Sequence, residues 1–314
     1  MNAPNQSTIQ ASNPTRVQGL WFSADLIVIQ AEDKIFRIAG GVLAARSSVF
    51  RDMLGVPHQG ESMDGPPCVL LHDSAHDVEV FLRAVFDSSY CMPAPEPIEF
   101  KAVLGILWLS HKYDVPYLFR RALQHLTEDG WYATKYDKPG ESYLLVEDTE
   151  NSNTPDASLT LLPVATEVGA LWLLPWAYYC AMTLPTSSLS PFLDGPLAPY
   201  TRTCLDARAL MVRETVRIHT FIAEEKSLCQ RRSTCETAWR LFLADFMGDV
   251  ATGTTPDPLE KYEFDGFGLC EHCLRWADQK YEEAFTDFYD RLPGMFGLPS
   301  WDELKTMERA AMGD

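Results

Sequence analysis

The chain has 314 residues, enough for about two domains at roughly 150 residues each. Its 46% hydrophobic, 22% charged and 11% aromatic composition is that of a globular protein and excludes a disordered or fibrous one. The 26 Lys and Arg against 44 Asp and Glu leave a formal net charge of −18, so neither nucleic acid nor an anionic membrane surface is an expected partner.

Residues 1–18 read as a disordered tail: Met1 to Arg16 is polar, holds one Arg and has no apolar run to serve as a signal-peptide core. The expected location is therefore intracellular, cytoplasm and/or nucleus, where the Asn5-Gln6-Ser7 sequon has no use. Eight cysteines in that setting are expected to be reduced.

Asp25 to Ile29 and Lys34 to Ile38 are short β-branched runs separated by the polar turn Glu32-Asp33, the pattern of a hairpin. Gly40-Gly41 ends the second strand, and the segment to Leu54 suits two short helices. Cys68 to Leu71 predicts a third strand. Ser74 and Asp77 stand as a capping box before Val78, Phe81, Leu82, Val85 and Phe86, whose spacing is that of an amphipathic helix. Helices over Glu99 to Lys112 and Val115 to Leu126 complete one α+β unit, residues 19–130.

Residues 131–157 carry no sustained period and read as a linker or ordered loop. Residues 158–314 read as an all-helical C-terminal domain. No charged side chain lies between Glu167 and Asp194, but Pro175 and Pro185 divide this apolar stretch into two short core helices instead of a membrane span. Pro185 to Pro199 is expected to be loop. Longer helices follow from Ala207 to Ile222, after a Ser233/Glu236 capping box, from Leu274 to Leu292, and after a second box at Ser300/Glu303.

Ala24 to Val28, Phe36, Val42 to Leu54, Val80 to Phe86 with Tyr90, and Leu107 to Val115 before Leu118 resemble, in order and spacing, the BTB/POZ domain in its divergent fungal, basidiomycete-type versions. The resemblance covers about a third of the chain. It implies a short three-stranded sheet with a cluster of helices, here followed by an all-α domain. Relatives are interaction modules without catalysis, commonly dimeric, so protein partners through the BTB-like unit are expected and a homodimer is compatible with the pattern. The family's usual His three residues after the second-strand Phe is Ala39 here. Many relatives recruit a ubiquitin-ligase cullin through a hydrophobic-x-Glu motif before the third strand. The matching stretch is Ser62-Met63-Asp64-Gly65, with Gly in place of the acid, so the cullin motif is not evident. The helical half resembles the downstream region of the same proteins in Gly169 to Pro175 and Leu269 to Cys273.

Cys270 and Cys273 form a C-x-x-C at a predicted helix start, and Cys229 and Cys235 precede another helix about 35 residues earlier. Two such pairs can surround a tetrahedral structural zinc, and His272 is able to replace one thiolate. Buried thiols and a redox dithiol are the other readings. Cys68, Cys91, Cys180 and Cys204 are isolated and read as core or loop residues. His72, Asp73, His76 and Asp77 share a loop-to-helix junction, where capping and the helix dipole account for the acids. There is no G-x-S-x-G, H-E-x-x-H, P-loop or dinucleotide-binding motif.

The sequence thus points to a non-enzymatic protein-protein interaction module, a scaffold or adaptor with no catalytic and no cofactor-binding residues. The alternatives are a metal-dependent or redox-responsive regulator using Cys229, Cys235, Cys270 and Cys273, and an enzyme with an unrecognised active site. Charge is uneven along the chain. Residues 201–240 hold eight basic and five acidic side chains and residues 241–314 hold six basic and sixteen acidic, so the basic helices are expected to dock on the acidic segment.

Overall fold

The computed structural model describes residues 25–56, 65–94, 96–127, 156–224, 228–252 and 264–313. The 1–18 tail, most of the 131–157 linker, Lys226 of the basic segment and Ser62 to Asp64 of the cullin-type stretch lie outside the described residues. The described part is α+β and mostly helical, with one small sheet.

Strands β1 (Leu26–Ala31) and β2 (Lys34–Ala39) pair antiparallel, with Leu26 opposite Ala39 and Ala31 opposite Lys34. Their turn is tight enough to place Glu32 in the left-handed region at φ 47°, as two-residue hairpin turns demand. Helices α1 (Gly40–Arg46) and α2 (Ser48–Gly55) follow, and the Ser47 hydroxyl caps α2 by accepting the Phe50 N–H at 3.0 Å. Strand β3 (Cys68–Leu71) then pairs in parallel with the free side of β1, giving the order β2-β1-β3.

Strand alternation gives this sheet two unlike faces. Ile27, Ile29, Ala31, Val69 and Leu71 are buried in the main core, whereas Leu26, Ile35 and Leu70 on the opposite face are exposed. Helices α3 (Ala75–Phe86), α4 (Phe100–Lys112) and α5 (Pro116–Thr127) pack in series. Val78, Phe81 and Leu82 of α3 are buried, each contributing about 1.5–3 kcal/mol relative to exposure. Ser74 accepts the Asp77 N–H at 3.1 Å, and the Glu32 carboxylate accepts that of Ala75 at 3.0 Å, which ties the hairpin turn to the start of α3. Gly105 permits the α3–α4 approach: a Cβ there would lie 2.7 Å from Asp77 Oδ1 and 2.9 Å from Val80 Cγ2.

The helical half comprises α6 (Ala157–Glu167), a 3-10 turn at Leu171–Leu173, α7 (Leu174–Thr183), α8 (Thr186–Leu189), α9 (Ala198–Ile218), α10 (Arg232–Thr252), α11 (Glu271–Met295) and α12 (Trp301–Met312). α6 packs on α4 and α12 on α5, so buried residues of both halves form one connected core. The apolar stretch from Val168 is core, with Trp172 and Trp176 fully buried. No helix among the described residues is long and apolar enough to cross a membrane.

Several expectations are corrected. The segment from Pro185 to Pro199 contains α8 and a 3-10 turn at Ser190–Phe192, and α9 begins at Ala198. Pro199 sits in its first turn, where a missing N–H costs nothing. α10 begins at Arg232, so Ser233 is already inside the helix and Glu236 pairs with Arg240 at 2.7 Å instead of closing a capping box. The Ser300/Glu303 box forms in full.

The expected docking of basic on acidic segments is only partly present among the described residues. Arg217 pairs with Asp287, but Arg202, Arg208 and Arg231 donate to the carbonyls of Leu193, Met182 and Leu269. The centre of the contact is Glu214, an acid of the basic segment, which is buried and accepts from Arg217 at 2.8 Å and from Arg291 of the acidic segment at 2.7 Å.

Candidate metal centre

The four predicted cysteines converge. Cys229 and Cys235 come from the loop and first turn of α10, and Cys270 and Cys273 from the N-cap and first turn of α11. Their sulfurs lie within 4.8 Å of one another, and all four thiols are unbridged. A zinc ion with Zn–S bonds of about 2.3 Å needs sulfur–sulfur edges of about 3.8 Å, so the set closes on one ion with shifts of at most about an ångström. His272 is not part of this group, which corrects the option of a mixed nitrogen–sulfur set.

Backbone donors face the sulfurs. The Cys270 N–H donates to Cys235 Sγ at 3.2 Å, and the N–H groups of Gln230 and Cys273 donate to Cys270 Sγ. Both helices point their N-terminal, partially positive ends at the cluster. Burial pushes the Cys235 and Cys273 thiols above the ordinary cysteine value. Burial acts on Cys270 too, but the N–H donors and neighbouring thiols outweigh it and hold that thiol down at about 6.

The surroundings are aromatic. Trp239 stands one helical turn after Cys235 and Trp276 one turn after Cys273, and the two indoles meet edge-on at 6.2 Å. Phe221, Phe242 and Phe264 pack against Trp239. A cavity of about 590 Å³ shares Cys229, Cys235 and Cys273 with the cluster and is otherwise mainly apolar, with Glu224, Arg232, Glu236 and Arg240 as its charged lining. His219 also lines it; burial lowers the pKa of its ring, whose Nδ1 lies 2.8 Å from the Thr215 carbonyl.

The other candidate groups separate. Asp73 is engaged by Lys112 and by the Tyr113 hydroxyl, and Asp77 faces Gly105, so these acids serve packing and helix starts. Burial first, and then the Asp73 carboxylate, pushes the Tyr113 phenol up. Cys91 and Cys204 are single buried thiols, and burial raises Cys204 to about 12. The Glu214–Arg217–Arg291 network and the indole pair were not singled out by sequence. The i,i+3 spacing of Glu214 and Arg217 was a signal for the first, and the turn-spaced Trp residues were one for the second. Neither a family model, nor a curated protein, nor a solved structure matches the chain.

Proposed function

We propose that the chain is a non-enzymatic protein-protein interaction module of the BTB/POZ type, acting as a scaffold or adaptor through its α+β unit. The observation that carries this reading is the outer face of the sheet. Leu26, Ile35 and Leu70 are exposed there at 41%, 61% and 57%, beside β2 and β3 edges that have no partner strand among the described residues. Exposed apolar side chains next to open strand edges form a surface on which another chain docks by side-chain burial or by strand addition. The small sheet backed by helices is also the coarse architecture that the resemblance implies. An intracellular setting, in cytoplasm or nucleus, belongs to the same proposal.

The test is affinity purification of the tagged full chain with mass spectrometry, run beside an Ile35→Asp/Leu70→Asp variant whose fold is checked by circular dichroism. Partners captured by the parent and lost by the folded variant support the reading. An identical set from both, or no partner together with turnover of a metabolite, overturns it. A second reading, a metal-dependent or redox-responsive regulator, is favoured by the convergence of the four cysteines.

A further inference from the structure

We propose that Cys229, Cys235, Cys270 and Cys273 hold one zinc ion as a four-thiolate structural centre that pins the start of α10 to the start of α11. The inference is independent of the interaction reading and stands on geometry. Two chain segments bring four sulfurs within 4.8 Å of one another, and three of the four residues are buried, Cys235 at 1%, Cys270 at 2% and Cys273 at 0% exposure. Thiols kept only as small apolar fillers need no mutual approach. Cys91 and Cys204 fill that role singly in the same molecule.

The polar surroundings are arranged for negative sulfur. The Cys270 N–H aims at Cys235 Sγ at 3.2 Å, and the starts of two helices face the cluster, so fixed dipoles lower the cost of thiolate charge. Arg231 donates to the Leu269 carbonyl at 3.0 Å, holding the two cysteine-bearing segments against each other. Those dipoles do not balance four thiolates in a low-dielectric interior, and a divalent cation does.

An all-sulfur set selects a soft or borderline ion over magnesium, calcium or manganese. Sulfurs this close enclose a single ion and leave no space for a multi-iron cluster. Four protein ligands leave no open coordination position, so the site is structural and not hydrolytic. On binding, each S–H proton leaves to solvent, each sulfur lone pair forms a dative bond to zinc, and no electron is transferred.

The experiment uses the full chain purified under reducing conditions. Elemental analysis is expected to give about one zinc per chain, released when a mercurial reagent titrates the thiols and a colorimetric chelator reports the metal. After chelation, cobalt(II) is expected to restore the fold and to show the intense visible bands of a tetrahedral four-sulfur site. A Cys270→Ser/Cys273→Ser variant is expected to lose the metal, while a Cys91→Ser/Cys204→Ser variant keeps it. The mercurial and cobalt readouts use the parent chain, so misfolding of a variant does not decide the outcome. The proposal is overturned by a stable chain with well under one equivalent of metal that takes up no cobalt. Recovery of iron in place of zinc overturns it, as does zinc retained by the Cys270→Ser/Cys273→Ser variant.

Discussion

The α+β unit and the helical half are held together by different chemistry. In the first, one sheet face and α3, α4 and α5 contribute to an apolar core, capping bonds close the element ends, and the buried Asp73 is met within the unit by Lys112 and the Tyr113 hydroxyl. In the second, the core between α9, α10 and α11 is aromatic and includes a buried carboxylate and four clustered thiols. Apolar packing is satisfied by its own contacts, whereas buried polar groups need specific partners. The two halves should therefore fail under different insults, although their buried residues are continuous.

The sharpest way to break the comparison is chelation. Hydrogen exchange read by mass spectrometry is expected to show α10 and the start of α11 losing most of their protection when a zinc chelator is added, with β1, β3 and α4 retaining theirs. Uniform loss across both halves would show that the α+β unit has no stability of its own.

The second largest effect is expected from Arg217→Ala/Arg291→Ala, which leaves the Glu214 charge buried without its two strongest partners. Losing the partners of a buried ion costs about 3–5 kcal/mol, and solvent screening of the two partly exposed guanidiniums lowers this to about 2–4 kcal/mol. Urea denaturation measures it. Burial works to raise the Glu214 carboxyl, but bonds from Arg291 and Arg217 outweigh it and lower its pKa. The stabilisation from Glu214 is therefore complete above the ordinary carboxylate range and disappears as pH falls through the depressed folded value. The double variant should lose that acid-limb dependence, which a urea series at falling pH detects. High salt should have little effect on this contact, because the carboxylate it centres on is buried.

Gly105→Ala is the corresponding probe of the α+β unit. Its added methyl meets Asp77 Oδ1 and Val80 Cγ2, and overpacking of this kind costs about 1–3 kcal/mol, with the midpoint shift expected in α3 and α4 and not in α10. The smallest effect is expected from Ser300→Ala, which removes the hydroxyl of the α12 capping box and costs about 1 kcal/mol. Thermal denaturation measures both, with the midpoint of Gly105→Ala expected to fall further than that of Ser300→Ala.

What the sequence disclosed follows the same division. The hairpin, the three strands and α3 were legible because β-branched runs, a polar turn and strict helical spacing are local signals. The full Ser300/Glu303 box was legible for the same reason. α8 and the early start of α9 were hidden by Pro185, Pro191 and Pro199, which read as loop although proline fits a first helical turn. The cysteine spacing marked the candidate site, but convergence of the two pairs depends on how α10 and α11 meet, which no local pattern encodes. Charge counting misplaced the ion network because segment totals ignore burial. The basic stretch supplies the buried acid Glu214, and the acidic stretch supplies Arg291 to meet it.

The indoles one turn beyond Cys235 and Cys273 give the molecule an optical gauge. Trp239 and Trp276 touch edge-on, each one turn on from a cysteine of the cluster, so their emission registers the chemical state of the thiols without an added label. Free thiolate and cobalt both quench a neighbouring indole, whereas zinc, with its filled d shell, does not. Titrating metal into the chain and following tryptophan fluorescence therefore reads occupancy in real time, and Trp239→Phe and Trp276→Phe variants assign the signal to this corner of the fold.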